Sequence, residues 1–520
     1  MNIPHTRREF LAEVGRGMLV ATVGYELASE LGLAAEVPEP AVKALNFGSL
    51  EPLVCLMQET PSDRLLPELM KQMELGNDLR RLTAAAALAN ARTFGGEDYV
   101  GFHTMMALAP SFHMAQELPP QLQPLPVFKV LLRNTNRIRE RGSRKQEVLH
   151  EVAPGNPPSG SMRAEQLRDT IRRKDVNEAE RTLAALAQNS TDEAFNDLLL
   201  AVQDQTEVHR VVLPYRAWDL LGLIGKEQAE TLLRQSVRYC VKAESWPRAT
   251  RADDPRTLLP KLLEEHKLLA RLPGERSPED AWVEQMSQTI FKATPTEAAS
   301  AAAAALAEGM SPTAVGESVS LAANQLVLRD RGRPPGAEAP GKPIGSVHGD
   351  SIGVHACDSA NAWRNLARVS NTRNAFASLI LGAYQVALDR TARGGDFLNW
   401  EPLPLAAHLN QIASTDAQVL LRETDEAVRG NLQARAATLV ARYGQLEFEP
   451  RPVFDLLLRY AVSEDGALHA EKYYRTVSEE FAVTRPRFRW RQLVALARVT
   501  ASEFGRPAPG VAEARALLKV

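Results

Sequence analysis

Histidines at recurring positions are the residues of this chain best suited to do chemistry. His348, His355 and Asp358 fall within Ser346–Leu366, a stretch of small residues that is predicted to be helical. At spacings of seven and three residues, their side chains project from one helix face. Imidazoles beside a carboxylate can ligate iron, copper or zinc, or relay protons near neutral pH. Such a polar face either lines a cleft or lies buried with partners.

The surroundings of two further histidines repeat along the chain. A Phe-Asp-Leu-Leu-Leu-type segment begins fourteen residues before His209 and fifteen residues before His469, and an alanine-rich segment precedes each. Less closely, the same order fits Leu82–Arg92 before His103 and Thr294–Ala307 before the double-histidine stretch. Internal recurrence of this kind is typical of repeat folds. It predicts that these histidines meet on one side of the fold: His103, His209, His355 and His469.

Two interpretations of these histidines stay open at this level. An acidic residue shortly precedes each one (Glu97 and Asp98, Glu207, Asp350, Asp465), which suits a metal or acid–base site. In the other interpretation each imidazole only fills or caps a helix start. His113, His150, His266 and His408 lie outside the pattern and are assigned to the surface or to packing.

The fold is predicted to be all-α, because apolar residues recur three and four apart and strand-like alternation is scarce. We expect a helical-repeat solenoid or closed α-toroid of about four units, each of four helices, with the histidine at the start of the third. The units are predicted at 50–142, 162–246, 286–390 and 425–505. Residues 142–161 form a linker, and the Pro/Gly-rich insertion 331–345 is a predicted lid.

The N-terminus predicts export. Thr6–Leu11 (TRREFL) is similar to a twin-arginine signal, and we assign residues 1–35 to a signal segment read by the twin-arginine export machinery, with the periplasm as destination. The alternative is an amphipathic N-terminal helix of a cytoplasmic protein. Because this pathway carries folded proteins, export weakly favours a cofactor loaded before transport.

Composition excludes several function classes. With 61 basic against 64 acidic residues, the net charge of −3 gives no overall footprint for nucleic acid. No apolar run is long enough to span a membrane, and three distant cysteines allow at most one disulfide. The sequence lacks GxGxxG, Walker A, GxSxG and HExxH motifs, and it has no flavin-binding motif.

Short motifs around the histidines resemble those of the questin oxidase-like proteins. His355–Arg364 (HACDSANAWR) is similar to their His-Ala-x-Thr segment, with Asp358 where the family tends to have Thr, and His469–Lys472 (HAEK) is similar to their C-terminal His-Ala-x-Lys. Val208-His209 and Phe102-His103 resemble their earlier helix starts. The resemblance implies an all-helical fold and an oxygen-dependent, Baeyer–Villiger-type oxidation of an aromatic polyketide-like small molecule, with NADPH as reductant.

The sequence therefore predicts an oxidoreductase with a histidine-lined cavity. The predicted catalytic residues are His209, His355, Asp358, His469 and Lys472. The predicted metal ligands, for iron or copper, are His103, His209, His348, His355 and His469. Lys472 lies on the same helical face as His469 and can bind an anionic intermediate or a substrate carboxylate, or it can pair with a neighbouring acid. The other function class that stays open is a non-catalytic helical-repeat binding or scaffold protein.

Overall fold

Helices make up most of the part of the chain that the structure describes. A computed structural model describes residues 43–155, 162–246, 254–392 and 395–520, and residues 46–520 form one compact unit. The described residues contain 23 α-helices and, in place of strands, only isolated β-bridges. The predicted all-α fold is confirmed.

Twenty of these helices fall into four consecutive groups of five. The first group is α1 Glu51–Glu59, α2 Ser62–Glu74, α3 Leu79–Phe94, α4 Tyr99–Gln116 and α5 Pro124–Glu140. The second is α6 Arg163–Arg172, α7 Val176–Asn189, α8 Thr191–Val202, α9 Val208–Ile224 and α10 Ala229–Ala243. After α11 Pro255–Glu265, the third is α12 Asp280–Lys292, α13 Pro295–Ala307, α14 Pro312–Arg329, α15 Ile352–Val369 and α16 Thr372–Ala392. After the short α17 Ala406–Leu409, the fourth is α18 Ala417–Arg429, α19 Gln433–Gln445, α20 Arg451–Ser463, α21 His469–Val483 and α22 Pro486–Glu503, and α23 Val511–Leu518 follows.

The helix count corrects the predicted repeat unit. Each group holds five helices instead of four, and the histidine helix is the fourth instead of the third. Two predicted boundaries, 286 and 425, fall inside α12 and α18. Both opening helices are 13 residues long and amphipathic, so the predicted boundaries start these two units too late. The repeat of four units and its closure into a toroid stay predictions, which superposition of the four groups tests.

Small side chains set the close packing around the third group. Helix α13 starts with a capping box, in which Glu297 accepts from the backbone N–H of Thr294 at 2.9 Å and the Thr294 hydroxyl accepts in return at 3.3 Å. The alanines that follow, Ala298, Ala299, Ala302 and Ala303, are fully buried. Alanine adds little bulk, so α16 packs closely against this helix.

The Pro/Gly-rich insertion 331–345 is tied to the start of the third histidine helix. Arg333 and Lys342 both contact one carboxylate oxygen of Asp350, at 2.6 and 2.5 Å. Gly345 donates a backbone hydrogen bond back to Arg333 at 2.9 Å. The insertion therefore lies against the turn before α15. Its role as a lid stays a prediction.

Three sequence predictions concern the remaining features. The twin-arginine segment 1–35 lies outside the described residues, as does part of the predicted linker 142–161. The three cysteines, Cys55, Cys240 and Cys357, are all free thiols. Within the described ranges, no helix has the length and apolar character needed to cross a membrane.

A ring of four histidines as the candidate functional site

The four predicted histidines meet where four helices begin. Helix α4 packs against α9, α9 against α15, α15 against α21, and α21 against α4, so the four helices form a closed cycle of neighbours. Each histidine falls within the first five residues of its helix. Cyclic packing of the helices thus brings four sequence-distant imidazoles together: His103 (α4), His209 (α9), His355 (α15) and His469 (α21).

Side-chain caps explain where three of these four helices begin. Asp98 accepts from the backbone N–H of Gly101 at 2.8 Å and starts α4, and Glu207 accepts from that of Arg210 at 3.0 Å and starts α9. The hydroxyl of Ser351 caps α15. Helix α21 follows Leu468, whose φ of 70° is left-handed. Because each cap fixes the first turn, it also fixes where the imidazole on that turn points.

The imidazole rings are arranged in a cycle. Ring centres lie 4.8 Å apart for His103 and His209, 6.0 Å for His209 and His355, 5.4 Å for His355 and His469, and 5.3 Å for His469 and His103. The closest atoms form two pairs. The Nε2 atoms of His103 and His209 are 3.3 Å apart, and those of His355 and His469 are 3.4 Å apart.

Hydrogen bonds assign the protons of the first pair. Nδ1 of His103 lies 2.7 Å from the carbonyl oxygen of Tyr99, which can only accept, so this nitrogen carries a hydrogen. Nδ1 of His209 lies 2.6 Å from the carboxylate of Glu207 and is likewise the donor. In the neutral ring each Nε2 then holds a lone pair. Two lone pairs that approach each other at 3.3 Å repel, and a proton or a metal ion between the two nitrogens would relieve this repulsion.

The electrostatics of the site favour the neutral forms of His103 and His469. Burial and the charge of Lys472 hold the pKa of His103 far below its usual value, and the same two causes act on the pKa of His469. The other imidazoles add to both effects. Four helix N-termini also converge here, and each contributes a partial positive charge. An unprotonated imidazole is the form that ligates a metal.

Two predicted catalytic residues, Asp358 and Lys472, lie beside the ring. Asp358 is buried and accepts from the hydroxyl of Thr476 at 2.8 Å. Burial raises the pKa of Asp358, and the Lys472 charge opposes that rise. Burial lowers the pKa of Lys472 to about 8, against the attraction of Asp358 and Glu471. Lys472 is therefore near enough to the ring for its charge to act on His103 and His469, and the catalytic roles of Lys472 and Asp358 stay predictions.

The carboxylate of Glu207 links the ring to the protein around it. It accepts from His209, and also from the hydroxyl of Tyr239 at 2.7 Å. Burial would raise the pKa of Glu207, but these hydrogen bonds and the nearby His209 ring lower it to about 2. Glu207 is thus ionised. A histidine that ligates a metal usually donates its other N–H to such a carboxylate or to a backbone carbonyl, and His209 and His103 show these two partners.

His348 lies outside the cycle of four rings, and the prediction that it shares a helical face with His355 and Asp358 is wrong. Helix α15 begins at Ile352, so His348 lies in the turn before it and does not share a helical face with His355 and Asp358. Its Nδ1 lies 3.8 Å from Glu503. The cap at Ser351 ends the helical stretch that the sequence pattern extended back to residue 346. The fourth histidine of the set is His103.

The acids that precede the histidines have different roles. Asp98 and Glu207 cap the histidine helices, and Asp98 also holds Arg137 through two contacts of 2.7 and 2.8 Å. Asp350 pairs with the insertion, as described above. Asp465 accepts from Arg133 at 3.1 Å. Only Glu207 contacts an imidazole of the ring among these four.

Sequence reasoning missed an aromatic shell around the ring. Tyr99 lies 4.4 Å from His103 between ring centres, and Phe102 lies 5.0 Å from both His103 and His209. Tyr99 is 63% exposed, so this edge of the site reaches solvent. One signal in the sequence could have shown part of this aromatic shell. Tyr99 and His103 are four residues apart, so they lie on the same face of a helix.

Searches against family models, curated proteins and solved structures found no match to this chain. In the described residues, no group of three or more His, Cys, Asp or Glu side chains is arranged so that it could hold a metal ion. The four imidazoles instead form two Nε2 pairs.

Proposed function

We propose that this protein is an oxidoreductase whose reaction centre is the four-histidine ring. The observation that carries the proposal is the pair of Nε2 lone pairs of His103 and His209 at 3.3 Å, with both Nδ1 hydrogens held by fixed acceptors. This arrangement leaves a place for one cation that two imidazoles share. His355 and His469 repeat the contact at 3.4 Å.

The dimensions of the ring fit one transition-metal ion. Tetrahedral ligation with metal–nitrogen bonds of about 2.1 Å separates the nitrogens by about 3.4 Å and the imidazole centres by about 5.3 Å. The two Nε2 contacts are 3.3 and 3.4 Å, and the four ring-centre distances run from 4.8 to 6.0 Å. The four imidazoles are not preformed as one ligand set, so binding a single ion would require the two pairs to move onto a common centre. Imidazole ligands suit iron, copper and zinc.

Iron or copper, as the sequence predicts, would make this site redox-active. The metal would supply electron transfer and the binding of dioxygen, which an oxygenase requires. The protein would contribute the four neutral ligands His103, His209, His355 and His469. Glu207 and the Tyr99 carbonyl would fix two of these rings through their Nδ1 hydrogens. NADPH as reductant rests on the questin oxidase-like resemblance.

Residues around the ring suit an aromatic substrate with a negative charge. Tyr99 is 63% exposed and Trp246 is 38% exposed. Tyr239 lies between Trp246 and the imidazoles, because its ring centre is 5.7 Å from that of Trp246 and 6.5 Å from that of His209. These rings would stack on a flat substrate. The Lys472 ammonium would hold a phenolate or carboxylate group. A polyketide-derived aromatic ring, the substrate class that the resemblance implies, meets both requirements.

Metal analysis of histidine variants tests the proposal. The full chain is produced separately with iron, copper or zinc, and bound metal and oxygen consumption with NADPH and a hydroxylated anthraquinone are measured. We expect about one ion per chain, and loss of both metal and oxygen consumption in His355→Ala and His469→Ala. His408→Ala is the matched control, because His408 lies outside the ring, and it should retain both.

Two results would contradict the proposal. One is metal content in His469→Ala equal to that of the unchanged protein. The other is a protein that takes up no metal under any of the three conditions and consumes no oxygen. The second result, with a melting temperature that falls in the ring variants, would favour the non-catalytic binding protein, in which a proton bridges the imidazoles of a packed core.

A further inference from the structure

A second cavity lies apart from the histidine helices. Its volume is about 800 Å³, and its lining includes no residue of α4, α9, α15 or α21. The walls come from α12, α14, α19 and α22 and from the segment that contains Pro402 and Leu409. Cavities of this size hold small organic ligands.

The lining of this cavity is basic. Four arginines, Arg329, Arg487, Arg489 and Arg491, stand against two glutamates, Glu284 and Glu447. Arg491 is paired with Glu284 at 2.6 Å, and Glu447 is exposed. Helix α22 begins at the cavity with Pro486, so its partial positive charge adds to the arginines. The field in the cavity favours an anion.

Two buried donors in the lining have no acceptor in the described part of the chain. Gln325 is only 5% exposed; its side-chain oxygen accepts from Arg329 at 3.2 Å, whereas its Nε2 finds no partner. The Nε of Arg489 is likewise buried without an acceptor. Buried donors are normally satisfied. An oxygen of a ligand in the cavity would satisfy both.

The other side of the cavity is aromatic and apolar. Trp490 packs flat on Gly444, where a Cβ atom would lie only 2.4 Å from the indole ring. Phe481 and Tyr443 hold the same ring, at centre distances of 5.8 and 5.9 Å. Phe448 and Leu328 complete this wall. The indole is therefore a fixed surface on which a flat ring can stack.

We propose that this cavity binds an organic anion of the aryl carboxylate class. The carboxylate accepts from Nε2 of Gln325 and from Arg489, and Arg487 adds long-range attraction. The aromatic body stacks on Trp490. The site is separate from the histidine ring, and its occupation does not depend on a bound metal.

Calorimetric titration with 2-naphthoate tests the assignment on the full chain. Saturable binding is expected, with affinity at least tenfold weaker for the neutral 2-naphthamide and for the variants Gln325→Leu and Arg489→Met. Arg80→Met is the matched control. Arg80 is an exposed arginine outside the cavity that lies over the Phe112 ring, as Arg489 lies over Phe481, and its loss should change the affinity less than twofold.

Three results would overturn the assignment. They are the absence of saturable 2-naphthoate binding, equal affinities for the acid and the amide, and equal effects of Arg489→Met and Arg80→Met. Circular dichroism and the melting temperature check the fold of each variant. Should Gln325→Leu fail to fold, the half-buried Arg489 and the comparison of acid with amide still decide the matter.

Discussion

Replacing Glu503 with glutamine should stabilise the protein at neutral and alkaline pH. Glu503 ends α22, is 6% exposed, and accepts from the backbone N–H of Gly349 at 2.8 Å. Burial raises its pKa from 4.5 to about 7, and Glu471 and Asp350 push in the same direction. A glutamine keeps the shape and the acceptor for Gly349 but removes the charge that the site disfavours.

The size and sign of this effect follow from the two pKa values. A rise from 4.5 to about 7 corresponds, at 1.36 kcal/mol per unit, to about 3 kcal/mol. Because the folded protein binds the proton more tightly than the unfolded chain does, the contribution is fully present below pH 4.5. It is lost as the pH rises through 7. The stability of the wild type minus that of Glu503→Gln should therefore fall by about 3 kcal/mol between pH 4.5 and 8.

A neighbouring histidine makes the comparison of two proteins necessary. Burial lowers the pKa of His348 from 6.5 to about 4, with the charges of Arg506 and Lys342 acting in the same direction. Its contribution is of the opposite sign, because the folded protein binds that proton less tightly, so stability is gained as the pH rises from 4 to 6.5. The two effects offset each other in a single stability profile. The difference between wild type and variant removes the His348 contribution that both proteins share, and it keeps only the part of that contribution that depends on the 3.8 Å contact between His348 and Glu503.

Urea unfolding between pH 4.5 and 8, followed by circular dichroism, measures this difference. Glu513→Gln serves as the control, since Glu513 is an exposed carboxylate in the first turn of α23, and its profile should run parallel to the wild type. A difference between wild type and Glu503→Gln that stays constant across this range would refute the argument, because it would mean that Glu503 is ionised normally in the folded protein.

Three other changes test the site and the N-terminus. In Gly349→Ala the new Cβ would lie 2.2 Å from the Cβ of His469. We expect the free energy of unfolding, measured in urea, to fall by about 1–3 kcal/mol and the metal content to fall as well. Unchanged values would contradict the packing argument. In Glu207→Gln the amide oxygen can still cap α9. The metal affinity, measured by competition titration, should nevertheless fall about 10–100-fold. An undiminished affinity would exclude a role of Glu207 in orienting His209. Replacing Arg7 and Arg8 with lysine should retain the precursor in the cytoplasm in a fractionation assay, and continued export would count against the signal.

The parts of the site that the sequence predicts are those set by local structure. The four histidines are found because each follows a helix start, where capping residues and apolar periodicity leave a visible pattern. Lys472 follows His469 on one helix face for the same reason. Helical spacing is a local property of the chain, so neither inference needed tertiary contacts.

The parts that the sequence does not predict depend on packing between distant segments. The pairing of His103 with His209 joins residues 106 positions apart, and no local pattern encodes it. Tyr239 reaches Glu207 from the next helix. The incorrect placement of His348 on the helix has a local cause. Ser351 caps the helix after His348, and its hydroxyl accepts from the backbone N–H of Val354 at 3.4 Å. The preference of serine for helix starts outweighed the small-residue pattern.

One carboxylate connects the stability of the fold with the chemistry of the ring. Glu207 starts α9 by accepting from Arg210, and it orients His209 by accepting from Nδ1. Because the same group does both, the lone pair of His209 can point at His103 only when the helix begins at Val208. Three more helix starts around the ring add positive potential, which disfavours protonated imidazoles. The same potential opposes a divalent cation, so the ring could hold a metal ion only if several nitrogens ligate that ion at once.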